Sequence, residues 1–174
     1  MRTLGPGSVS SVLKVILEVV YVGLWVGAAG GTLACLAAVA LLIDPASLGG
    51  LNPIRLDAGE SLPSVTAGIV GATLYMVGVL LIVDRLRRVF ATLTAGDPFH
   101  PDNVRRLRVV GLILAVLELG RYPFSAIEFW ITPTHSTAAM GVSLTAWFAV
   151  LVVFVLAEVF REGARLRREA ELTI

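Results

Sequence analysis

The chain has few charged residues and a single cysteine. Asp, Glu, Lys and Arg form 16% of its 174 residues, whereas hydrophobic residues form 56% and the mean hydropathy is +0.85. Cys35 has no second cysteine with which to form a disulfide inside the chain. Once about 20 residues are assigned to each membrane span, little of the chain is left for an independent soluble or catalytic domain.

Common catalytic motifs are also missing. The sequence contains no Gly-x-x-x-x-Gly-Lys run for phosphate binding and no His-Glu-x-x-His pair for zinc. Its two histidines, His100 and His135, are expected on opposite sides of a membrane. We therefore predict a protein that is not an enzyme and that holds no cofactor and no metal.

Four long apolar stretches are present instead. They cover residues 16–43, 62–83, 109–131 and 140–160, and each is close to or above the roughly 20 residues that cross a bilayer core of about 30 Å. Residues 1–174 are therefore expected to form a single membrane domain. The prediction is an all-α, polytopic membrane protein built as a bundle of four transmembrane helices.

Basic residues are distributed unequally around these stretches. If the spans alternate in direction, the amino terminus, the loop 84–108 and the helical tail 161–174 lie on one side of the membrane. That side carries Arg2, Lys14, Arg85, Arg87, Arg88, Arg105, Arg106, Arg108, Arg161, Arg165, Arg167 and Arg168. The other side carries Arg55, since Arg121 lies within the third span. Because Lys and Arg accumulate on the cytoplasmic side, both termini are predicted to be cytoplasmic.

Small residues recur on the first span. Gly23, Gly27 and Gly31 are spaced every four residues, which lets a second helix approach its backbone closely. The pattern favours a packing groove inside the monomer, and a homodimer face is the alternative.

The loop after the second span contains turn-forming residues. Gly96 and the prolines near it are expected to break the helix, and Asp102 or Asn103 is expected to cap a new helix at Val104. Asp97, together with His100 and Asp102, has the ligand types of a metal site. A capped polar loop is favoured because the residues are local and turn-forming.

The third span carries polar residues on one helical face. Glu118, Arg121, Ser125 and Glu128 follow the helical period, and Pro123 is expected to interrupt the helix beside them. A charge in the bilayer core is costly, so this stripe is predicted to turn inward and to find partners. A structural polar network is favoured over a binding or proton-sensitive site.

The fourth span continues into a charged helical tail. Val159, Gly163, Leu166 and Ala170 form an apolar row there. On the same helix, Arg165 is expected to pair with Glu162 or Glu169, and Arg167 with Glu171. Packing on the Val104 to Arg108 segment is favoured for this row, and binding another protein or lying on lipid headgroups are the alternatives.

Three segments of the tail and loop resemble one family. They are Gly96-Asp97-Pro98-Phe99 before Asn103-Val104-Arg105-Arg106-Leu107, Leu156-Ala157-Glu158-Val159-Phe160-Arg161-Glu162-Gly163, and Glu171-Leu172-Thr173-Ile174. The chain resembles a bacterial family of small four-span membrane proteins of unknown function. The family's typical tail has glutamates before the closing Leu-Thr-Ile, whereas Arg168 stands among them here.

The resemblance implies a location in the bacterial inner membrane and a link to a small Cro/C1-type helix-turn-helix regulator encoded beside the gene. The residues expected to face such a partner are Gly96, Asp97, Pro98, Phe99, Asn103, Arg106, Glu158, Arg161, Glu162, Gly163, Leu166, Leu172, Thr173 and Ile174. The predicted function is therefore that of a non-enzymatic regulatory or sensory membrane protein. The alternative is a transporter or sensor of a small ligand or ion that uses the polar stripe. Direct nucleic-acid binding is not expected, because membrane topology and anionic lipid already explain the arginine clusters.

Overall fold

The structure is a computed structural model that describes residues 9–44, 61–97, 99–131 and 142–172. Within these ranges the side chains of residues 9–12, 128, 131 and 171 are not described. The described secondary structure consists of four helices, which are α1 (Val9–Ile43), α2 (Leu62–Thr94), α3 (Pro101–Ile131) and α4 (Leu144–Glu171).

Each of these helices contains a segment that is long and apolar enough to cross a membrane. Trp25, Leu33 and Phe148 are more than half exposed on the protein surface. Large apolar surfaces of this kind are rare on soluble monomers and are normal where lipid covers the protein. The chain is therefore a multi-pass membrane protein, and the prediction of four membrane-spanning helices is confirmed.

The helices pack in the order of the chain. α1 packs on α2, α2 on α3 and α3 on α4, and within the described ranges no other pair of helices brings Cα atoms within 8 Å of each other. The expected bundle is therefore corrected to an open row of helices, because α1 and α4 do not meet there to close it. Each helix packs closely on the helices next to it in the chain, and small residues form these contacts.

Glycines on α1 receive side chains of α2. A Cβ atom on Gly27 would lie 2.5 Å from the Met76 sulfur, and one on Gly31 would lie 2.7 Å from the Thr73 hydroxyl oxygen. Gly23 has no such neighbour within 4 Å among the described atoms. Two of the three glycines in the predicted row thus pack inside the monomer, and a homodimer through this row stays a prediction.

In the other two helix pairs, side chains also pack on glycines. Leu117 of α3 packs on Gly78 of α2, where a Cβ atom would lie 2.6 Å from the leucine side chain. Phe154 of α4 packs on Gly111 of α3, where the corresponding distance is 3.1 Å. Close backbone approach is the main source of helix association in lipid, where burial of apolar surface gives little gain.

The helix boundaries follow from local chemistry. The Ser61 hydroxyl caps α2 by accepting a hydrogen bond from the Ser64 amide, and Ser143 caps α4 by accepting from the Ala146 amide at 3.3 Å. Gly96 ends the turn after α2 with φ +85°, a left-handed conformation that favours glycine.

One prediction about α3 is wrong. The helix begins at Pro101 rather than Val104, so Asn103 lies inside its first turn and does not cap it. Proline is favoured at a helix start because its missing N–H has no intrahelical partner there. Pro123 lies inside α3, and the helix continues to Ile131, the predicted end of the third span, since one lost hydrogen bond does not end a helix of this length.

Candidate functional site

The loop between α2 and α3 is fixed onto the carboxyl-terminal part of α4. The Phe99 ring lies directly against Gly163, and its centroid is 5.9 Å from that of Phe160. Beside these rings, Arg167 donates a hydrogen bond to the Asp97 carboxylate and forms an ion pair with it. We call these five residues the loop platform. Asp97, Phe99 and Gly163, which the sequence places in two separate motifs, are therefore neighbours.

A buried amide near the loop platform joins the end of α2 to the start of α3. Asn103 is fully buried, and its side-chain nitrogen donates to the Thr92 hydroxyl at 2.7 Å. Arg106 donates to the Asn103 side-chain oxygen at 3.0 Å and to the Arg88 carbonyl oxygen at 3.1 Å. The end of α2 and the start of α3 are thereby held together by polar contacts that exclude water from Asn103.

Ion pairs cover the outer surface of α4. Arg108 lies 3.8 Å from Glu158, and Glu158 also pairs with Arg161. The predicted partners of Arg165 are both present, with Glu162 at 2.6 Å and Glu169 at 3.5 Å. These side chains are about half exposed or more, so each pair contributes little to stability. Arg167 pairs with Asp97. The side chain of Glu171, its predicted partner, lies outside the described residues, so that pair stays a prediction.

Part of the apolar row on α4 is uncovered. Val159 is 57% exposed, Leu166 is 55% exposed and Leu172 is 88% exposed, whereas Gly163 packs on Phe99. Val159 and Leu166 are seven residues apart, so they share one face of the helix. Pro98, Thr173 and Ile174 lie outside the described residues.

The predicted metal ligands do not converge. Asp97 is engaged by Arg167, while the His100 Nδ1 atom accepts a hydrogen bond from the Asp102 amide at 3.2 Å. No group of three or more His, Cys, Asp or Glu side chains that could hold a metal occurs in the part of the chain that the structure describes. The residues form a polar loop.

Glu118, Arg121 and Ser125 of the polar stripe have partners on α3 itself. The Arg121 guanidinium lies 3.4 Å from a Glu118 carboxylate oxygen, which also accepts a hydrogen bond from the Tyr122 hydroxyl at 3.5 Å. The Ser125 hydroxyl donates to the Tyr122 carbonyl oxygen at 3.0 Å. Only the backbone of Glu128 is described, so its side chain is not placed.

The two charges of the stripe differ in burial. The Glu118 side chain is 11% exposed, whereas that of Arg121 is 48% exposed. Arg121 lies thirteen residues after Arg108 on one continuous helix, which corresponds to an axial distance of about 20 Å. In a bilayer core of about 30 Å, the long side chain of Arg121 can therefore extend toward the headgroups of the opposite surface.

Three residues of the loop platform and the neighbouring Asn103 contacts were not predicted as site residues. They are Thr92, Phe160 and Arg167. Phe160 lies within the Leu156 to Gly163 segment of the family resemblance and could have been found through it. Thr92 carries no local signal because its partner, Asn103, comes from another helix, and the local pattern around Arg167 predicted a pair with Glu171 and not with Asp97 of the loop.

Residues 51–174 match the family described as a protein of unknown function, DUF2975. The matched part contains α2, α3, α4 and the loop platform, while α1 precedes it. No curated protein and no solved structure matches the chain. Since the match covers well over half of its length, the chain belongs to this family.

Proposed function

We propose that the protein is a non-enzymatic regulatory or sensory protein of the bacterial cytoplasmic membrane, which binds a cytosolic protein through the loop platform and the adjoining face of α4. The observation that carries the proposal is the packing of Phe99 on Gly163, which joins the two most distinctive segments of the sequence into one surface. The family is of unknown function, so the proposal rests on this surface and on the resemblance described above.

The length of α4 supports a surface outside the membrane. Its 28 residues correspond to about 42 Å, whereas the bilayer core is about 30 Å thick. From Arg161 onward the helix is rich in charge, so this last part is the portion that extends into water. The side on which it emerges is proposed to be the cytoplasm, because that side would also receive most of the arginines.

The exposed side chains support binding of an amphipathic protein segment. Val159 and Leu166 form an apolar face, and Glu162 and Arg165 beside them supply charges of both signs. Helical partners are recognised through apolar positions repeated at this spacing, and the flanking charges set orientation. The proposed partner is a small helix-turn-helix regulator, as the family resemblance implies.

The alternative, a transporter or ligand sensor centred on the polar stripe, has less support. Glu118 is held by Arg121 and Tyr122 of its own helix. We therefore assign the stripe a stabilising role within α3.

Co-purification tests the proposed function. The full chain is expressed with the regulator encoded beside its gene and purified in mild detergent, and the recovered regulator is quantified. Leu166→Glu should lower recovery at least tenfold, because a carboxylate would be placed in an apolar contact. Arg168→Ala is the matched control: it changes the same exposed part of α4, and its position two residues further points to another face. Failure to recover the regulator with the unaltered protein would refute the regulatory proposal, and equal losses in both variants would remove the Leu166 face from it.

A further inference from the structure

Four arginines surround a cavity at the charged end of the α2–α3 pair. The cavity has a volume of about 300 Å³ and is lined by Arg85, Arg88, Asp102, Arg105, Arg106 and Val109. One carboxylate thus faces four guanidinium groups. Asp84, at the edge, pairs with Arg88 at 3.0 Å and lies 3.9 Å from Arg85. Even with both carboxylates counted, positive charge is in excess, and guanidinium groups are well suited to bind phosphate.

A larger apolar groove lies between the same two helices. Its volume is about 700 Å³, and Leu74, Leu81, Leu112 and Val116 are among its lining residues. These four side chains are between 45% and 63% exposed, so the groove is open along its length. Its volume is within the range of about 300 to 1,000 Å³ that is typical of ligand sites.

The arginine cavity and the apolar groove lie on the same side of the helix pair. On α2, Leu74, Leu81 and Arg88 follow one another at intervals of seven residues, and on α3 the same interval separates Arg105 from Leu112. Residues at this spacing share one face of a helix. The groove and the arginine cavity therefore follow one another along the same face of the helix pair, apolar residues first and arginines next.

The cavity also lies where the apolar segments of α2 and α3 meet their charged ends, the level at which lipid headgroups are expected. Val83 and Val109 are the apolar residues next to the charged segment on α2 and α3, and the arginines begin within two residues of Val83. A lipid whose phosphate lies at this level has its acyl chains beside the apolar groove. A free phosphate would use the arginines but would leave the groove unexplained.

We propose that the α2–α3 groove binds an anionic phospholipid, with the phosphate among Arg85, Arg88, Arg105 and Arg106 and an acyl chain along Leu81, Leu112 and Val116. The ligand chemistry is a phosphate ester carrying a net negative charge and a long alkyl chain. Arg88 and Arg106 also form hydrogen bonds with Asp84, Asn103 and the Arg88 carbonyl, whereas the contact of Arg85 with Asp84 is a long one of 3.9 Å, so Arg85 and Arg105 are the positions to test.

Native mass spectrometry of the full chain in detergent measures the site directly. The probes are phosphatidylglycerol and phosphatidylcholine with identical acyl chains, titrated separately. The unaltered protein should bind phosphatidylglycerol at least tenfold more tightly. The double variant Arg85→Gln/Arg105→Gln should lose this preference, since each arginine near a membrane surface contributes about a fivefold change in affinity. The control is Arg161→Gln/Arg165→Gln, which removes the same charge from α4 and should keep the preference.

Two further measurements distinguish the source of the phosphate and the role of the groove. Val116→Trp narrows the groove and leaves the arginines unchanged, so it should weaken phosphatidylglycerol binding at least fivefold. Millimolar inorganic phosphate should not displace the lipid.

If phosphate displaces it and Val116→Trp has no effect, the site binds a free anion and the lipid proposal is overturned. The proposal is also overturned if the α4 control loses as much affinity for phosphatidylglycerol as Arg85→Gln/Arg105→Gln does, because general surface charge would then explain the binding. Each variant is compared at matched thermal stability, and Arg105→Gln alone replaces the double variant if the latter does not fold.

Discussion

Phe99, in the loop between α2 and α3, lies against Gly163 of α4, so that a Cβ atom at position 163 would overlap the aromatic ring. The contact is made between segments that are far apart in the chain. Glycine at this point lets the loop approach the helix backbone, and Phe160 supports the ring from the same helix at a centroid distance of 5.9 Å.

Gly163→Ala should therefore destabilise the protein by about 1 to 3 kcal/mol, the usual cost of adding a methyl group to a tightly packed contact. The matched control is Gly30→Ala on α1, where the described residues place no atom within 4 Å of the added methyl group apart from the adjoining residues and backbone of the same helix. That variant should be neutral or stabilising by up to about 1 kcal/mol, because alanine has the higher helix propensity. Thermal unfolding in detergent compares the two. Equal shifts would mean that Phe99 moves aside at no cost.

Asn103 should contribute more to the stability of the protein than the exposed ion pair between Asp97 and Arg167 does. Asn103→Leu removes a fully buried amide that bonds to Thr92 and Arg106, so the unfolding free energy should fall by about 2 to 3 kcal/mol. Asp97→Asn breaks a partly exposed pair with Arg167 and should cost less than about 1 kcal/mol, with an effect that shrinks at high salt. The measurement is unfolding in detergent at two salt concentrations. A larger effect of Asp97→Asn would contradict the assignment of Asn103 as the main connection between α2 and α3.

Apolar length and charge placement are enough to predict the four helices. Uninterrupted hydrophobic stretches longer than a bilayer core leave no other regular structure, because backbone polar groups in lipid must bond within the segment. Whether the four helices form a closed bundle or an open row cannot be predicted in this way. Whether α1 meets α4 depends on contacts between distant residues, and hydropathy is similar for an open row and a closed bundle.

The candidate site was predictable only in part. Gly163 and Phe99 stand out through the family resemblance, but nothing in the sequence shows that one packs on the other. Arg85 and Arg105 are read from the sequence as topology signals, and their shared cavity becomes visible only when α2 and α3 lie side by side. The position of Asn103 was mistaken because an asparagine after a proline also fits a helix cap, whereas here it bonds across to Thr92.

Membrane topology can be measured independently of the packing. We expect both termini in the cytoplasm, because Lys and Arg are concentrated on that side and Arg55 lies on the other. Reporter fusions after Asn52 and after Ile174 should therefore give opposite locations, with the second one cytoplasmic. Removing charge provides a control. Replacing Arg85, Arg87 and Arg88 with Gln should weaken the preference for this orientation. Fusions that report the same side would contradict an even number of alternating spans.

Arg121 and Glu118 provide a test of the polar stripe. Arg121→Leu removes the cation 3.4 Å from a carboxylate that is only 11% exposed, and it should destabilise the protein by up to about 3 kcal/mol. This is the lower end of the range for breaking a buried pair, because the Arg121 side chain is itself 48% exposed. Adding Glu118→Leu to Arg121→Leu should restore much of the loss, since no unpaired carboxylate then remains in the membrane. Thermal unfolding of the two single variants and the double variant in detergent gives the coupling energy. A coupling near zero would show that Glu118 does not depend on Arg121, and the stripe would then need another explanation.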